Sequence, residues 1–183
     1  MASAETVTLP VLPVIADIVI DRTGQPISNA WTTLAAEAPL PDAGPIILPL
    51  ARLLAEPASL ALQGGIGALI SPEDDLAALA PLLSKLALVA IAFPKFRDGR
   101  GFTQMRALRE HRGYTGEIRA TGHPLPDQFL NLVRCGVTSV DLPQGQDAAV
   151  WVSVLKLHGG LDTRPVAERP LPLLRRLAVP FAP

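Results

Sequence analysis

Between residues 45 and 158 short apolar runs alternate with segments whose apolar positions recur at helical spacing. Runs at 46–48, 67–70, 86–93, 117–121 and 138–142 have the length and branching of buried strands. Segments 50–62 (interrupted near Pro57), 73–83, 103–112, 126–135 and 147–158 carry the helical period. Strand–helix repeats of this kind predict an α/β fold with a mostly parallel sheet of about five strands. A flavodoxin-like open sheet and a partial TIM-type barrel both accommodate the order.

Local signals sharpen the second half of the chain. Thr103 is the expected N-cap of its helix, and Gly113 and Gly136 are expected left-handed residues after helix ends. Pro126 suits a first helical turn, and Arg106 and Glu110 are spaced to pair along one face. The strand at 117–121 alternates, with Glu117, Arg119 and Thr121 on one face and Ile118 and Ala120 on the other. Fully covered parallel strands are apolar on both faces. The charged face therefore implies a barrel-like interior with paired charges, a sheet margin or a wall that meets a ligand.

Outside the repeats the period changes. Residues 1–45 read as an extended, Pro-punctuated arm with a strand at 15–20 and a turn at 21–24, and residues 159–183 as a Pro-rich tail. Residues 46–158 form the α/β body of one expected domain. An apolar tail needs cover from its own body or from a second subunit, so a homo-oligomer is expected.

Composition adds compartment and charge. Half the chain is apolar (49%) but only 4% is aromatic, so the core must be aliphatic. A single cysteine, Cys135, excludes an internal disulfide and fits the cytoplasm. No signal peptide is readable, and Pro81 and the Ser84–Lys85 pair divide the one run long enough to suggest a membrane span. The net charge is −1, yet residues 95–134 hold eight Lys/Arg against four Asp/Glu. That stretch has too few aromatics, and the chain too little net positive charge, for a nucleic-acid binder.

Loops that follow parallel strands share one rim of the sheet, and ligands of α/β proteins bind there. The loop after the third expected strand brings Lys95, Arg97, Asp98, Gly99, Arg100, Gly101 and Thr103, a sequence able to hold an oxyanion on arginine donors and unpaired helix-start amides. The alternative is a loop that closes on itself, with Asp98 capping the turn and pairing with Arg100. Arg119 and Gln128 extend the expected ligand-binding set, and His123 with Asp127 is the candidate acid/base pair. The histidines at 111, 123 and 158 lack metal-ligand spacing, and no metal site is expected. The segment 64–67, Gly-Gly-Ile-Gly, precedes a strand where a dinucleotide fingerprint follows one, so no cofactor is indicated.

The segment 93–102 (Phe-Pro-Lys-Phe-Arg-Asp-Gly-Arg-Gly-Phe), with Ala107 to Arg109, 113–120, Asp127-Gln128 and Arg134 to Gly136, resembles the bacterial domain-of-unknown-function family 934. The family pattern also falls on Gln104, Glu117 and Arg119. This chain has Thr103, His123 and Pro126 where that pattern usually has Ser, Asp and Arg. The resemblance implies an accessory protein or oxidoreductase linked to assimilatory sulfite reduction. Combined with the loop chemistry, it implies a sulfur oxyanion or another anionic small molecule as ligand. The alternative it leaves is a non-catalytic adaptor that docks on sulfite reductase or a related reductase.

Overall fold

The computed structural model describes residues 18–57, 59, 64–95 and 97–157. The expected tail at 159–183, the start of the arm, Phe96 and His158 lie outside the described residues. The elements are β1 (Val19–Asp21), β2 (Pro26–Ile27), β3 (Thr32–Thr33), β4 (Ile46–Pro49), α1 (Leu50–Ala55), β5 (Ile66–Ile70) and α2 (Leu76–Leu79). They continue with β6 (Leu88–Phe93), α3 (Arg100–Arg106), β7 (Glu117–Gly122), α4 (Phe129–Cys135), β8 (Ser139–Asp141) and α5 (Ala148–Leu157).

The described residues form one sheet of eight strands, in the order β2-β1-β8-β7-β6-β5-β4-β3. Strands β3 to β8 are parallel and lie side by side in chain order, while β1 and β2 are added antiparallel at the β8 edge. The expected count of about five strands is thus corrected to eight. Of the three strands beyond the body, β1 lies at the end of the strand expected at 15–20, while β2 and β3 hold two residues each and are too short to show alternation.

The connectivity forces the sheet to curl. Strands β2 and β3 are its opposite edges, yet Ile27 and Thr32 are five residues apart in the chain. Five extended steps reach about 18 Å at most. A flat sheet of that many strands would hold its edges about 34 Å apart. The segment 28–31 therefore crosses the gap between two edges that have been brought together.

Parallel neighbours taken in order, joined by right-handed crossovers, put their helices on one face. That outer face carries Ile46, Leu48, Ala68, Ile70, Val89, Ile91, Phe93, Ile118, Ala120 and Val140, packed with Leu53, Leu108, Phe129, Leu132 and Trp151 in the main core. Ile47, Leu88 and Ala90 point to the inner face, under Trp31 and Leu69. Alternation thus divides each strand between a helix-covered core and a smaller core inside the curl.

Helix boundaries move by a few residues. Helix α3 begins at Arg100 with Gly99 as its N-cap, so Thr103 lies inside the helix and is not its cap. Gly101 permits this early start: a Cβ there would stand 2.6 Å from Phe93 Cζ, so the helix can lie on β6 only where the side chain is absent. After Arg106 the helix widens into a π turn at Ala107–His111 and ends at Gly113, which has φ 60°. Helix α2 is one turn, capped by Asp75 and prolonged as a 3-10 segment, Ala80–Lys85, because Pro81 cannot donate to an α ladder. Gly136 takes the expected left-handed conformation, with φ 100°.

Candidate functional site

Strands β6 and β7 are neighbours, and the amide of His123 donates to the carbonyl of Phe93 at 2.8 Å. The loops that follow them are therefore adjacent on the carboxyl rim. The loop after β5 joins them through α3. Gln104 Nε2 donates to the carbonyl of Ser71 at 2.9 Å, and Asp74 Oδ2 accepts from the amide and hydroxyl of that same serine at 2.6 and 2.9 Å.

At the centre of this rim the Arg100 guanidinium is closed on carboxylates. Its Nε donates to both oxygens of Asp98 at 3.0 and 3.2 Å, and its Nη2 to Asp98 Oδ2 at 2.7 Å and Glu73 Oε1 at 2.8 Å. Asp98 Oδ1 also accepts the Arg100 amide at 3.1 Å, and the Asp98 amide donates to the carbonyl of Lys95 at 3.1 Å. The guanidinium holds the Asp98 and Glu73 carboxyls below their ordinary range. Glu73 carries no local signal in the sequence that pairs it with a residue on another loop.

The other expected site residues are distributed unevenly. Lys95, Arg97 and Gly99 are exposed on the same loop, and Gly101 is buried against Phe93. Thr103 lies farther along α3, where it lines a groove against α4. Gln128 closes the loop before α4, its Oε1 accepting from the amide of Leu125 at 3.1 Å. His123 and Asp127 are both exposed, and among the described residues no hydrogen bond joins them.

Arg119 does not reach the rim surface. It is buried on the inner face, its side chain 3% exposed, within a paired cluster. Nη1 donates to Asn29 Oδ1 at 2.9 Å, Nη2 to Glu117 Oε1 at 2.8 Å, and Nε to Ser139 Oγ at 3.1 Å. Asp141 Oδ1 lies 3.5 Å from Nη1, buried and without a hydrogen bond. Burial pushes the Asp141 carboxyl up, Arg119 and a hydrogen bond from Thr121 oppose this, and Glu117 adds to it. Sequence reasoning placed Arg119 on a charged face but missed Ser139 and Asp141. Their spacing on either side of Val140 repeats the polar alternation of β7 and was the available signal.

Among the described residues no group of three or more His, Cys, Asp or Glu side chains could hold a metal ion. No helix of the described residues is long and apolar enough to cross a membrane.

The segment that builds β5 through α5, with its rim loop and inner-face arginine, matches one family model, described as a bacterial protein of unknown function (DUF934), over residues 67–169. The chain belongs to this family. A search of the curated proteins finds no match. Within the DUF934 segment lie every expected site residue from Lys95 to Gln128 and the whole Arg100 ion-pair network. Asn29, which completes the inner cluster, lies outside it.

Proposed function

We propose that this DUF934 protein is an accessory protein of assimilatory sulfite reduction in the cytoplasm, a non-catalytic adaptor that docks on a reductase through the rim around Glu73, Asp98 and Arg100. The sulfur context rests on the family resemblance. The observation that supports docking over chemistry is the Arg100 fork: the guanidinium at the centre of the rim is already bound by two carboxylates. A rim of closed ion pairs is a preformed polar surface, and such surfaces set orientation and partner choice in protein complexes. His123 and Asp127, the acid/base candidates, are exposed, and among the described residues no hydrogen bond joins them into an acid/base pair.

The test is a direct binding measurement with purified sulfite reductase and with its partner reductase. Reversing the rim charges in Asp98→Arg should weaken the complex at least tenfold. An undiminished complex in that variant would place the docking surface elsewhere.

A second reading, capture of a sulfur oxyanion by the same loop, draws on the exposure of Lys95 and Arg97 beside Arg100. An anion there would have to replace Asp98 on the guanidinium. Stabilisation of the protein by sulfite, abolished by Arg100→Ala, would favour this reading over docking.

A further inference from the structure

On the outer surface, away from the Arg100 fork, α3 and α4 leave between them a groove of about 420 Å³ lined by Phe102, Thr103, Arg106, Asn131, Arg134 and Cys135. We propose that this groove is a binding site for a small organic anion, a carboxylate or oxyanion on an apolar body, with Arg134 as the charge that recognises it.

Three features define the ligand. The first is charge: Arg106 is held in a two-bond pair with Glu110, at 2.9 and 3.1 Å, whereas Arg134 makes no hydrogen bond or ion pair with any described residue. Two guanidinium groups thus line the groove, and among the described residues only that of Arg106 is paired with a carboxylate. The second is the supply of neutral donors: the Thr103 hydroxyl and the Asn131 amide, both on exposed residues, line the same space. The third is the apolar content, Phe102 and the half-buried Cys135, both packed against the main core. An inorganic ion would leave those apolar atoms uncovered. An anion attached to a ring or short chain would cover them and bring its charge to the guanidinium.

Cys135 reports on the charge in the groove. Burial raises its thiol, and Arg106 and Arg134 pull it down against Glu110, so both arginines are near enough to act on the sulfur. This site goes beyond the adaptor reading and shares no residue with the Arg100 fork, so either can fail without the other.

The chain has one cysteine, which makes the test specific. Rates of alkylation by iodoacetate, an anion, and by iodoacetamide, its neutral counterpart, are measured on the full chain. Each forms the S–C bond, expels iodide and releases the thiol proton. The iodoacetate-to-iodoacetamide ratio should fall about fivefold in Arg134→Gln and return in Arg134→Lys, as expected for one nearby charge at partly screened range. Benzoate should slow iodoacetamide labelling of the wild type while neutral benzamide does not. As a readout independent of thiol reactivity, benzoate should shift the amide resonances of Thr103 and Asn131 in the wild type and not in Arg134→Gln. An unchanged ratio in Arg134→Gln, or benzoate acting no differently from benzamide in both labelling and resonance shifts, would overturn the proposal.

Discussion

Arg119 Nη1 and Asn29 Oδ1, 90 residues apart in the chain, meet at 2.9 Å inside the curl of the sheet. The contact joins mid-strand β7 to the short segment that crosses between the sheet's two edges. Asn29 Oδ1 also accepts the amide of Trp31 at 3.1 Å, which fixes the turn that carries Trp31 over Ile47 and Leu88. One asparagine oxygen thus links the polar cluster to the turn that carries Trp31.

Arg119→Leu should be among the most damaging substitutions in the chain. It would leave Glu117 and the buried Asp141 without their cation, and breaking a buried pair in this way costs about 3–5 kcal/mol. Asn29→Ala removes a single hydrogen-bond acceptor from the charged group and should cost about 1.5–3 kcal/mol. Urea denaturation of both variants checks the order.

Asp141 should give the protein a pH dependence opposite in sign to that of its rim carboxylates. Its carboxyl is raised above the ordinary value of 3.8, so the folded state holds the proton more tightly than the unfolded chain. Its contribution is complete below that value and is lost as the pH climbs through the raised folded value. Asp98 and Glu73 are lowered, and their contributions appear as the pH rises. The signature of Asp141 is therefore a difference: Asp141→Asn should gain stability relative to the wild type as the pH is raised from below 3.8. Denaturation midpoints of the two proteins across acidic pH test this.

Arg100→Ala should act on ionisation more than on the fold. The guanidinium is exposed, its side chain 54% accessible, and exposed pairs contribute little to stability. Removing it should let the Asp98 and Glu73 carboxyls titrate at higher pH, since their lowering comes first from hydrogen bonds to Arg100. Carbon-detected NMR titration of the two carboxyls reads this directly.

Gly101→Ala should separate α3 from β6. The added methyl would meet the Phe93 ring at 2.6 Å, where Phe93 is buried and in edge contact with Phe102 at 5.3 Å between ring centres. Overpacking of this kind costs about 1–3 kcal/mol, and a lowered thermal midpoint is the measurement.

How much of this was legible in the letters depended on segment length and on distance along the chain. The body from 46 onward showed its parallel strands and helices because apolar runs of four to six residues carry their own period. Asp98 and Arg100 are two residues apart, so their pairing could be weighed as one of two alternatives for the loop. The partners Glu73 and Asn29 could not, because they lie 27 and 90 residues from the arginines they hold and no local period marks them. The curl was legible only as one alternative, through the charged face of 117–121; what decides it is that β2 and β3 are opposite edges, and two-residue strands leave no pattern.

The proposed role makes the rim around Arg100 a docking surface and not a site of chemistry. Sedimentation of the full chain mixed with purified sulfite reductase tests it most directly, with wild type and Asp98→Arg compared in the presence and absence of sulfite. Docking predicts a complex with the wild type that sulfite leaves unchanged and that Asp98→Arg dissolves. Absence of any complex, with sulfite instead raising the thermal midpoint of the wild type and not of Arg100→Ala, would contradict it.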